Sequence, residues 1–187
     1  MIIFFHGQSL VELLKGVSKN FESGANIFAY NVKNPQDYGV IEGSKNTIKI
    51  IEKPKKTKSR RAITGLYFFD KNVSKLSKKL QYSKRGELEI TDLNKVYLNQ
   101  GSLNLEHMSR GYTWLDTGTH ESLVEASQFV QTIEHRQGLK IACPEEIAFR
   151  NHWINQSQLE ALAQPMLKNN YGKYLIHLIQ ELEHEGY

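Results

Sequence analysis

Apolar residues near the start of the chain recur at the spacing of an amphipathic helix. The spacing holds across residues 8–24, where leucine, valine and phenylalanine side chains fall on one face. Ser9 and Glu12 stand in the S-x-x-E order of a capping box, in which each side chain bonds the backbone of the other residue. Gly24 is the predicted end of this helix, because glycine commonly terminates helices.

Continuous apolar segments flank this helix on both sides. The segments MIIFF and ANIFAYNV have the composition of buried strands, so the pattern predicts a β-α-β unit. A buried parallel strand usually follows earlier elements of a sheet. We therefore expect further elements upstream of IIFF.

Strand signals then dominate as far as Asp116, and two helical segments interrupt them. Short apolar runs separated by glycine, asparagine and basic residues predict strands in the segments YGVIEG, TIKIIEK, RAITGLYFFD, SLNLEHMS and YTWLD. Helices are predicted over Val73–Leu80 and from Thr91 to Gly101. The mixture of strands and helices indicates the α/β class.

The last third of the chain has helical spacing. Apolar residues recur at this spacing in a segment that Gly138 ends, in a second that Pro165 interrupts, and in a third, KYLIHLIQELEH. We expect these faces to form a core or a subunit interface. The pattern predicts two parts, an α/β domain over residues 1–118 and a C-terminal helical segment over residues 119–187.

Composition narrows the class of protein. The 187 residues are 40% hydrophobic, which is sufficient for a packed core. No apolar run approaches the ~20 residues of a membrane span, and Met1–Lys15 lacks the features of a signal peptide. Cys143 is the single cysteine, which excludes an internal disulfide and a cysteine-based zinc site. We expect a cytoplasmic protein without a membrane partner.

Positive charge is concentrated in one short run. The formal net charge is +4, and the segment KPKKTKSRR, residues 53–61, contains six of the 24 lysines and arginines. It could be a nucleic-acid patch, a solvated loop, or a loop whose first residue, Lys53, faces an anionic ligand. Because the run lies between two predicted strands, we expect no nucleic-acid partner.

Two segments carry candidate binding chemistry. IEKPKK places an acceptor, Glu52, beside a cation, Lys53, at a strand end, where α/β proteins commonly bind ligands; an exposed ion pair is the simpler alternative. In SKRGELEITD, Arg85 lies on a predicted tight turn, and its planar guanidinium suits phosphate. Glu87 and Glu89 are expected to be structural, because acidic residues favour a helix N-terminus.

The segment TWLDTGTHESL raises a question about Asp116. This carboxylate follows a predicted strand and precedes a loop that bends at Gly118 before a helix begins at about Thr119. A carboxylate at such a strand end often binds Mg²⁺ in phosphoryl chemistry. It could instead cap the turn. A lone aspartate leaves both interpretations open, and no histidine has the spacing of a metal site.

Several longer strings resemble one enzyme family. In order and spacing they are similar to the glucose-1-phosphate thymidylyltransferases, in the segments FAYNVKNPQDYGVIE, IIEKPKK, ITGLYFFD, RGELEITDLN, GYTWLDTGTHESLVEASQFVQTIEHRQGLKIACPEEIAFR and YGKYL. The resemblance implies a Rossmann-like nucleotidyltransferase sheet with a C-terminal helical segment. It also implies transfer of dTMP from dTTP to glucose-1-phosphate, which yields dTDP-glucose and pyrophosphate, with Mg²⁺ as the cofactor.

The resemblance also implies roles for individual residues. The implied substrate-binding residues are Gly39, Glu52, Lys53, Ile63, Tyr67 and Arg85. Lys53 and Arg85 would hold the phosphate of the sugar and act in catalysis, and Glu52 would accept hydrogen bonds from glucose hydroxyls. Asp116 would be one of two aspartates on Mg²⁺.

The C-terminal segment is implied to build the subunit contacts of a homo-oligomer and a second nucleotide site. Arg110, Ile147 and Arg150 would then be regulatory, and an ordinary interface is the alternative.

One departure from the family is large. Its glycine-rich loop, thymine-reading segment and first metal aspartate would all precede IIFF, so the sheet is expected to be incomplete at its N-terminal side. We expect the isolated chain to be inactive, because catalysis by positioning and charge neutralisation needs both halves of the site. We also expect poor stability or association. A non-catalytic assembly module that complements a separate N-terminal half is the alternative.

Overall fold

The computed structural model describes residues 3–44 and 47–185, with side chains as far as residue 181. The chain divides into two compact units, Met1–Gly118 and Thr119–Tyr187. This division falls at the boundary expected from the sequence. The roles expected for the two units, sugar-phosphate binding and oligomerisation, stay predictions.

The first unit combines strands with helices. Its strands are β1 (Ile3–Gly7), β2 (Ala25–Asn31), β3 (Gly39–Glu42), β4 (Lys49–Glu52), β5 (Arg61–Phe69), β6 (Leu103–Met108) and β7 (Tyr112–Asp116). Its helices are α1 (Leu10–Asn20), α2 (Val73–Ser77) and α3 (Ile90–Asn99). The predicted α/β class is confirmed.

Five of these strands form a mixed sheet in the order β4-β3-β5-β2-β6. The β2–β6 pair is parallel and the other pairs are antiparallel. Successive residues of β2 face opposite sides, so Phe28 packs with Val17 of α1 whereas Ala25 packs with Leu93 of α3. The sheet therefore has a helix on each face, and β2, which lies between β5 and β6, is buried over its first five residues.

The start of the chain differs from the prediction. Met1 and Ile2 of the predicted strand lie outside the described residues, and β1 is only partly buried. β1 pairs antiparallel with β7, from Ile3 opposite Asp116 to Gly7 opposite Tyr112, in a separate two-stranded sheet. The predicted β-α-β unit is wrong, because β1 and β2 belong to different sheets.

The predicted capping interactions of α1 are also wrong. Ser9 is the N-cap residue, but its side chain makes no capping hydrogen bond, and the helix ends at Asn20. Gly24 instead begins the approach to β2 with a left-handed φ of +85°, and a Cβ there would lie 2.2 Å from the carbonyl oxygen of Ser102. Glycine is needed at this position because the two backbones approach closely.

The second unit consists of helices. They are α4 (His120–Gln137), α5 (Pro144–Arg150), α6 (Gln156–Ala163) and α7 (Asn170–Glu185). A capping box between Thr119 and Ser122 begins α4, and Gly138, in the left-handed conformation, ends it as predicted. The apolar core is formed by Cys143, Leu159, Ala163, Tyr174, Leu175, Leu178 and Ile179. Among the described helices, none has the length and apolar character needed to cross a membrane.

Candidate functional site

A cavity of about 230 Å³ opens in the first unit where β3, β4, β5 and β7 meet the start of α3. Its lining contains all the residues that the sequence implied for substrate or metal, namely Gly39, Glu52, Lys53, Ile63, Tyr67, Arg85 and Asp116. A larger cavity, of about 430 Å³, lies beside α1 and β6 and is lined by other residues. The smaller cavity is therefore the candidate site.

Gly39 and Glu52 face each other across the β3–β4 pair. A Cβ on Gly39 would lie 2.5 Å from Cγ2 of Thr91, at the start of α3. Nonbonded atoms do not approach that closely, so a side chain at residue 39 would force Thr91 to shift. The missing side chain lets α3 approach the strand and close one wall of the cavity.

Lys53 has an unusual backbone conformation at the rim of the cavity. Its φ is +38°, in the left-handed region, and it directly precedes Pro54. Its N–H donates to the carbonyl oxygen of Tyr38 at 3.1 Å, which holds this conformation. Left-handed backbone costs a non-glycine residue about 1–3 kcal/mol and persists only where the surroundings impose it. The expected ion pair between Glu52 and Lys53 is not formed within the described residues, since Glu52 pairs with Arg85.

A bulge in β5 places two residues on the cavity wall. Ile63 lies opposite Ala29 and Tyr67 lies opposite Ile27, so residues 64–66 bulge opposite Phe28 alone. Since side chains alternate along a strand, Ile63 and Tyr67 remain on one face and both line the cavity. Burial, followed by the charge of Glu52, raises the pKa of Tyr67 to about 12. The Tyr67 hydroxyl therefore remains protonated and can donate a hydrogen bond at neutral pH.

Arg85 contacts three carboxylates at once. Its Nη2 lies 2.9 Å from Glu87 Oε2, and its Nη1 lies 3.2 Å from Glu52 Oε1 and 3.3 Å from Glu89 Oε1. Glu89 occupies the N-cap position of α3, but its side chain makes no capping bond. Both acidic residues precede α3 as predicted, with Glu89 at its N-terminus. Their side chains also bind the guanidinium that the sequence singled out.

The lining of the cavity carries more negative than positive charge. Its acidic residues are Asp37, Glu52, Glu87, Glu89 and Asp116, and its basic residues are Lys53 and Arg85. An anionic ligand therefore meets a local excess of carboxylates. A bound cation or a rearrangement of these carboxylates would favour its entry.

Asp116 caps the turn and also faces the cavity. Its Oδ1 accepts a hydrogen bond from the N–H of Gly118 at 3.0 Å, whereas α4 is capped separately by Thr119. The described residues contain no group of three or more His, Cys, Asp or Glu side chains that could hold a metal. Mg²⁺ binds through one or two carboxylates together with water and substrate phosphates. Asp116 fits one ligand of such an open site, and Mg²⁺ stays a prediction.

Two further cavity residues were not identified from the sequence. Thr91 Oγ1 and Trp114 Nε1 are buried and have no hydrogen-bond partner within the described part of the chain. Buried polar atoms are ordinarily paired, and these two atoms are covered by neighbouring atoms rather than open to the cavity. The sequence pointed to Thr91 and Trp114 only through their positions within the segments SKRGELEITD and TWLDTGTHESL.

The residues implied to be regulatory lie in both units. Arg110 is exposed in the turn between β6 and β7 of the first unit. In the second unit, Ile147 on α5 is 47% exposed, and Arg150 Nε lies 2.7 Å from Glu146 Oε1. Their regulatory role stays a prediction.

The basic run between β4 and β5 is partly bonded to backbone. Arg60 Nε donates to the carbonyl oxygen of Val32 at 2.9 Å, and Arg61 donates to that of Gly43. Lys55, Lys56 and Lys58 are exposed or partly exposed. These contacts match the solvated-loop interpretation for most of the run, while Lys53 alone lines the cavity.

Known proteins resemble this chain over most of its length. A sequence model described as nucleotidyl transferase matches residues 4–133. A glucose-1-phosphate thymidylyltransferase of Neisseria meningitidis is 51% identical over 179 residues, which are 95% of this chain and 62% of that protein. One from Xanthomonas campestris is 53% identical over 176 residues, which are 93% of this chain and 59% of that protein. The chain thus spans about three fifths of the length of these relatives.

Two solved structures share the fold. One is a Bacillus anthracis protein provisionally assigned as a glucose-1-phosphate thymidylyltransferase, in complex with sucrose; it is 37% identical with a TM-score of 0.56, over 68% of this chain and 50% of that one. The other is a UDP-glucose pyrophosphorylase with UDP-glucose, 19% identical with a TM-score of 0.60, over 70% of this chain and 53% of that one. Because the family match covers more than half of its residues, this chain belongs to the nucleotidyl transferase family.

Proposed function

We propose that this chain supplies the sugar-phosphate side of a glucose-1-phosphate thymidylyltransferase. The full reaction transfers dTMP from dTTP to glucose-1-phosphate and yields dTDP-glucose and pyrophosphate. The observation that carries the proposal is the single cavity that gathers a guanidinium, an ammonium and several hydrogen-bonding side chains. The names of the relatives from Neisseria meningitidis and Xanthomonas campestris support the choice of substrates.

The cavity offers matching chemistry to both parts of a sugar phosphate. Arg85 provides a planar fork for the phosphate, and Lys53 provides a second cation at the rim. Glu52 accepts hydrogen bonds from sugar hydroxyls, and the protonated hydroxyl of Tyr67 can donate to them. Ile63 supplies an apolar surface for the face of the ring.

Mg²⁺ is part of this proposal. Bound at Asp116, it would neutralise charge on the phosphates of the substrates. The hydrogen bond from Gly118 N–H to Asp116 Oδ1 orients the carboxylate in the cavity wall. We also propose a cytoplasmic homo-oligomer as the working form.

A second candidate is a non-catalytic module that pairs with a polypeptide carrying the nucleotide-binding loop. The observation that favours it is the position of β6, which is one of the two edge strands of the mixed sheet and pairs with β2 alone among the described strands. Such an edge can accept another strand. Co-purification with a chain that restores dTTP-dependent activity would support this candidate, and a chain active by itself would contradict it.

The proposed substrate can be tested by calorimetric titration of the folded chain with glucose-1-phosphate. We expect binding that Arg85→Ala weakens about tenfold or more, because a hydrogen bond to a charged group contributes about 1.5–3 kcal/mol. Lys84→Ala is the matched control, since Lys84 is the neighbouring exposed cation and does not line the cavity. Equal losses in the two variants would indicate a nonspecific charge effect and contradict the proposal.

The catalytic part is tested by release of pyrophosphate from dTTP, glucose-1-phosphate and Mg²⁺. We expect no release by this chain alone, and release once a family polypeptide carrying the glycine-rich loop is added. Asp116→Asn should abolish the restored activity while leaving the binding of glucose-1-phosphate measurable. Release by the chain alone would show that the loop is dispensable.

A further inference from the structure

We propose that Glu87 is a displaceable internal anion, which occupies Arg85 until a sugar phosphate replaces it, while Glu89 holds Arg85 in position. This inference rests on the proposed function of the cavity. It assigns opposite roles to two carboxylates that stand two residues apart and contact the same guanidinium.

The contacts of Arg85 occupy both terminal nitrogens of its fork. Nη2 is taken by Glu87 at 2.9 Å, and Nη1 is shared between Glu52 and Glu89 at 3.2 and 3.3 Å. A phosphate that binds end-on takes one hydrogen bond from each terminal nitrogen and so competes with these carboxylates. Glu87 is the carboxylate on Nη2, and end-on binding of a phosphate would therefore displace it from that nitrogen.

The two carboxylates differ in how far they are buried. The side chain of Glu87 is 58% exposed, whereas that of Glu89 is 9% exposed. Glu89 Oε1 also accepts a hydrogen bond from Ser83 Oγ at 2.8 Å. Rotation of Glu89 away from Arg85 would leave a buried carboxylate without this cation, whereas Glu87 can rotate into water at little cost.

The turn that carries Arg85 is fixed independently of Glu87's side chain. Ser83 Oγ accepts a hydrogen bond from the N–H of Arg85 at 3.1 Å, and Ser83 N–H donates to the backbone oxygen of Glu87 at 2.8 Å. Gly86 stands at the tip with a φ of +76°. Because the side chain of Glu87 is mostly exposed, it can leave Arg85 for solvent while the backbone of the turn stays in place.

Charge gives the exchange its direction. Five carboxylates and two cations line the cavity, so an incoming phosphate meets repulsion from the side chains that already surround Arg85. Departure of Glu87 into solvent removes one of these like charges and frees Nη2 in the same movement. The affinity measured for a sugar phosphate is therefore lowered by the competition of Glu87 for Arg85.

The test compares two variants that remove the same charge from the same guanidinium. Calorimetric titration with glucose-1-phosphate is done on the full chain, on Glu87→Gln and on Glu89→Gln. We expect Glu87→Gln to bind about two- to fivefold more tightly, as the loss of an exposed competing ion pair predicts. We expect Glu89→Gln to bind no more tightly than the unaltered chain, because Arg85 loses its buried anchor.

Equal tightening in both variants would reduce the effect to the overall charge of the cavity and overturn the inference. An unchanged affinity of Glu87→Gln for glucose-1-phosphate would also overturn the inference. The proposed function would still stand if the unaltered chain binds glucose-1-phosphate. As a second measurement, Glu87→Gln is combined with Arg85→Ala, in which we expect no tightening. If neither the unaltered chain nor Glu87→Gln binds glucose-1-phosphate, the proposed function fails together with the inference.

Discussion

The cavity of the first unit and the helical core of the second unit use carboxylates in opposite ways. In the cavity, one arginine is shared among three glutamates, and its pairs with Glu52 and Glu87 are open to solvent. In the second unit, Glu146 accepts hydrogen bonds from Tyr174 at 2.6 Å and from Arg150 at 2.7 Å, and Glu145 accepts one from Tyr171.

The difference lies in the partner of the carboxylate. Burial and the bond to Glu146 raise the pKa of Tyr174, so its hydroxyl is a neutral donor that no anionic ligand would draw away from the core. Arg85 is a charged donor whose three carboxylate contacts lie at the cavity, where an incoming anion can compete for it. The carboxylates of the second unit therefore stabilise its fold. The carboxylates of the first unit can be replaced on Arg85 by another anion.

The largest expected effect is on the helical core. Leu175→Ala removes a side chain that is 0% exposed, and such truncations cost about 2–5 kcal/mol because a cavity remains. We expect the urea midpoint of helix unfolding, followed by far-UV circular dichroism, to fall. Binding of glucose-1-phosphate should be retained under native conditions, because Leu175 lies outside the unit that contains the cavity.

The matched control for this prediction is Leu162→Ala, which removes the same atoms from a residue that is 45% exposed on α6. It should shift the midpoint much less. Trp114 fluorescence in a Trp153→Phe background reports the first unit alone, since each unit contains one tryptophan. If Leu175→Ala shifts the Trp114 transition equally, the two units unfold as one, and the comparison between them breaks down.

An intermediate effect is expected from Gly39→Ala in the cavity wall. The new methyl group would lie 2.5 Å from Thr91 Cγ2, and overpacking of this kind costs about 1–3 kcal/mol. We expect weaker binding of glucose-1-phosphate and a lower midpoint for the Trp114 transition, with helix unfolding of the second unit unchanged.

Thr91→Ser sharpens this prediction, because it removes Cγ2 and keeps the hydroxyl. Combined with Gly39→Ala, it should restore much of the lost affinity. If the double variant binds as weakly as Gly39→Ala, the role of Gly39 is backbone approach to the ligand rather than contact with α3.

The smallest effect concerns pH and Asp70. The hydrogen bond from Gly24 N–H at 3.0 Å is the main cause that lowers the pKa of Asp70 below its ordinary value of 3.8, with further bonds from Asn72 and Tyr97. A lowered pKa in the folded state gives stability that is present above 3.8 and is lost as the pH falls through the lowered value.

We expect less than about 1 kcal/mol from Asp70, because the carboxylate is partly exposed and screened by solvent. The measurement is the urea midpoint of the Trp114 transition between about pH 6 and about pH 3. Asp70→Asn should reduce the pH dependence of the Trp114 midpoint. The pH dependence of helix unfolding in the second unit should not change. An identical pH profile in Asp70→Asn would contradict the contribution of this carboxylate.

Local signals predicted the parts of the fold that depend on neighbouring residues. The beginning of α4 at Thr119 and its end at Gly138 follow from side-chain and backbone chemistry within a few residues, and both are confirmed. The partner of β1 is β7, and more than a hundred positions separate Ile3 from Asp116. The residue pattern of neither segment indicates which strand it pairs with. The sequence therefore predicted β1 as a strand but not the sheet to which it belongs.

The candidate site shows the same division. The resemblance brought together residues that do line one cavity, but it carried no information on how Arg85 is held. Glu89 was interpreted from its place before a helix, whereas the turn at Gly86 brings Arg85 back onto it. The sequence left two interpretations of Asp116 open. Its Oδ1 accepts a hydrogen bond from Gly118 N–H, as the turn interpretation predicts, and the Mg²⁺ interpretation stays a prediction.

The bulge in β5 constrains how this segment can vary in length. Residues 64–66 stand where one residue would suffice, and the two additional positions keep Ile63 and Tyr67 on the same face. Loss of a single residue there would turn either Ile63 or Tyr67 away from the cavity, whereas loss of two would keep both. When related chains are aligned over this strand, a one-residue gap therefore signals a different cavity wall, and a two-residue gap leaves the wall intact.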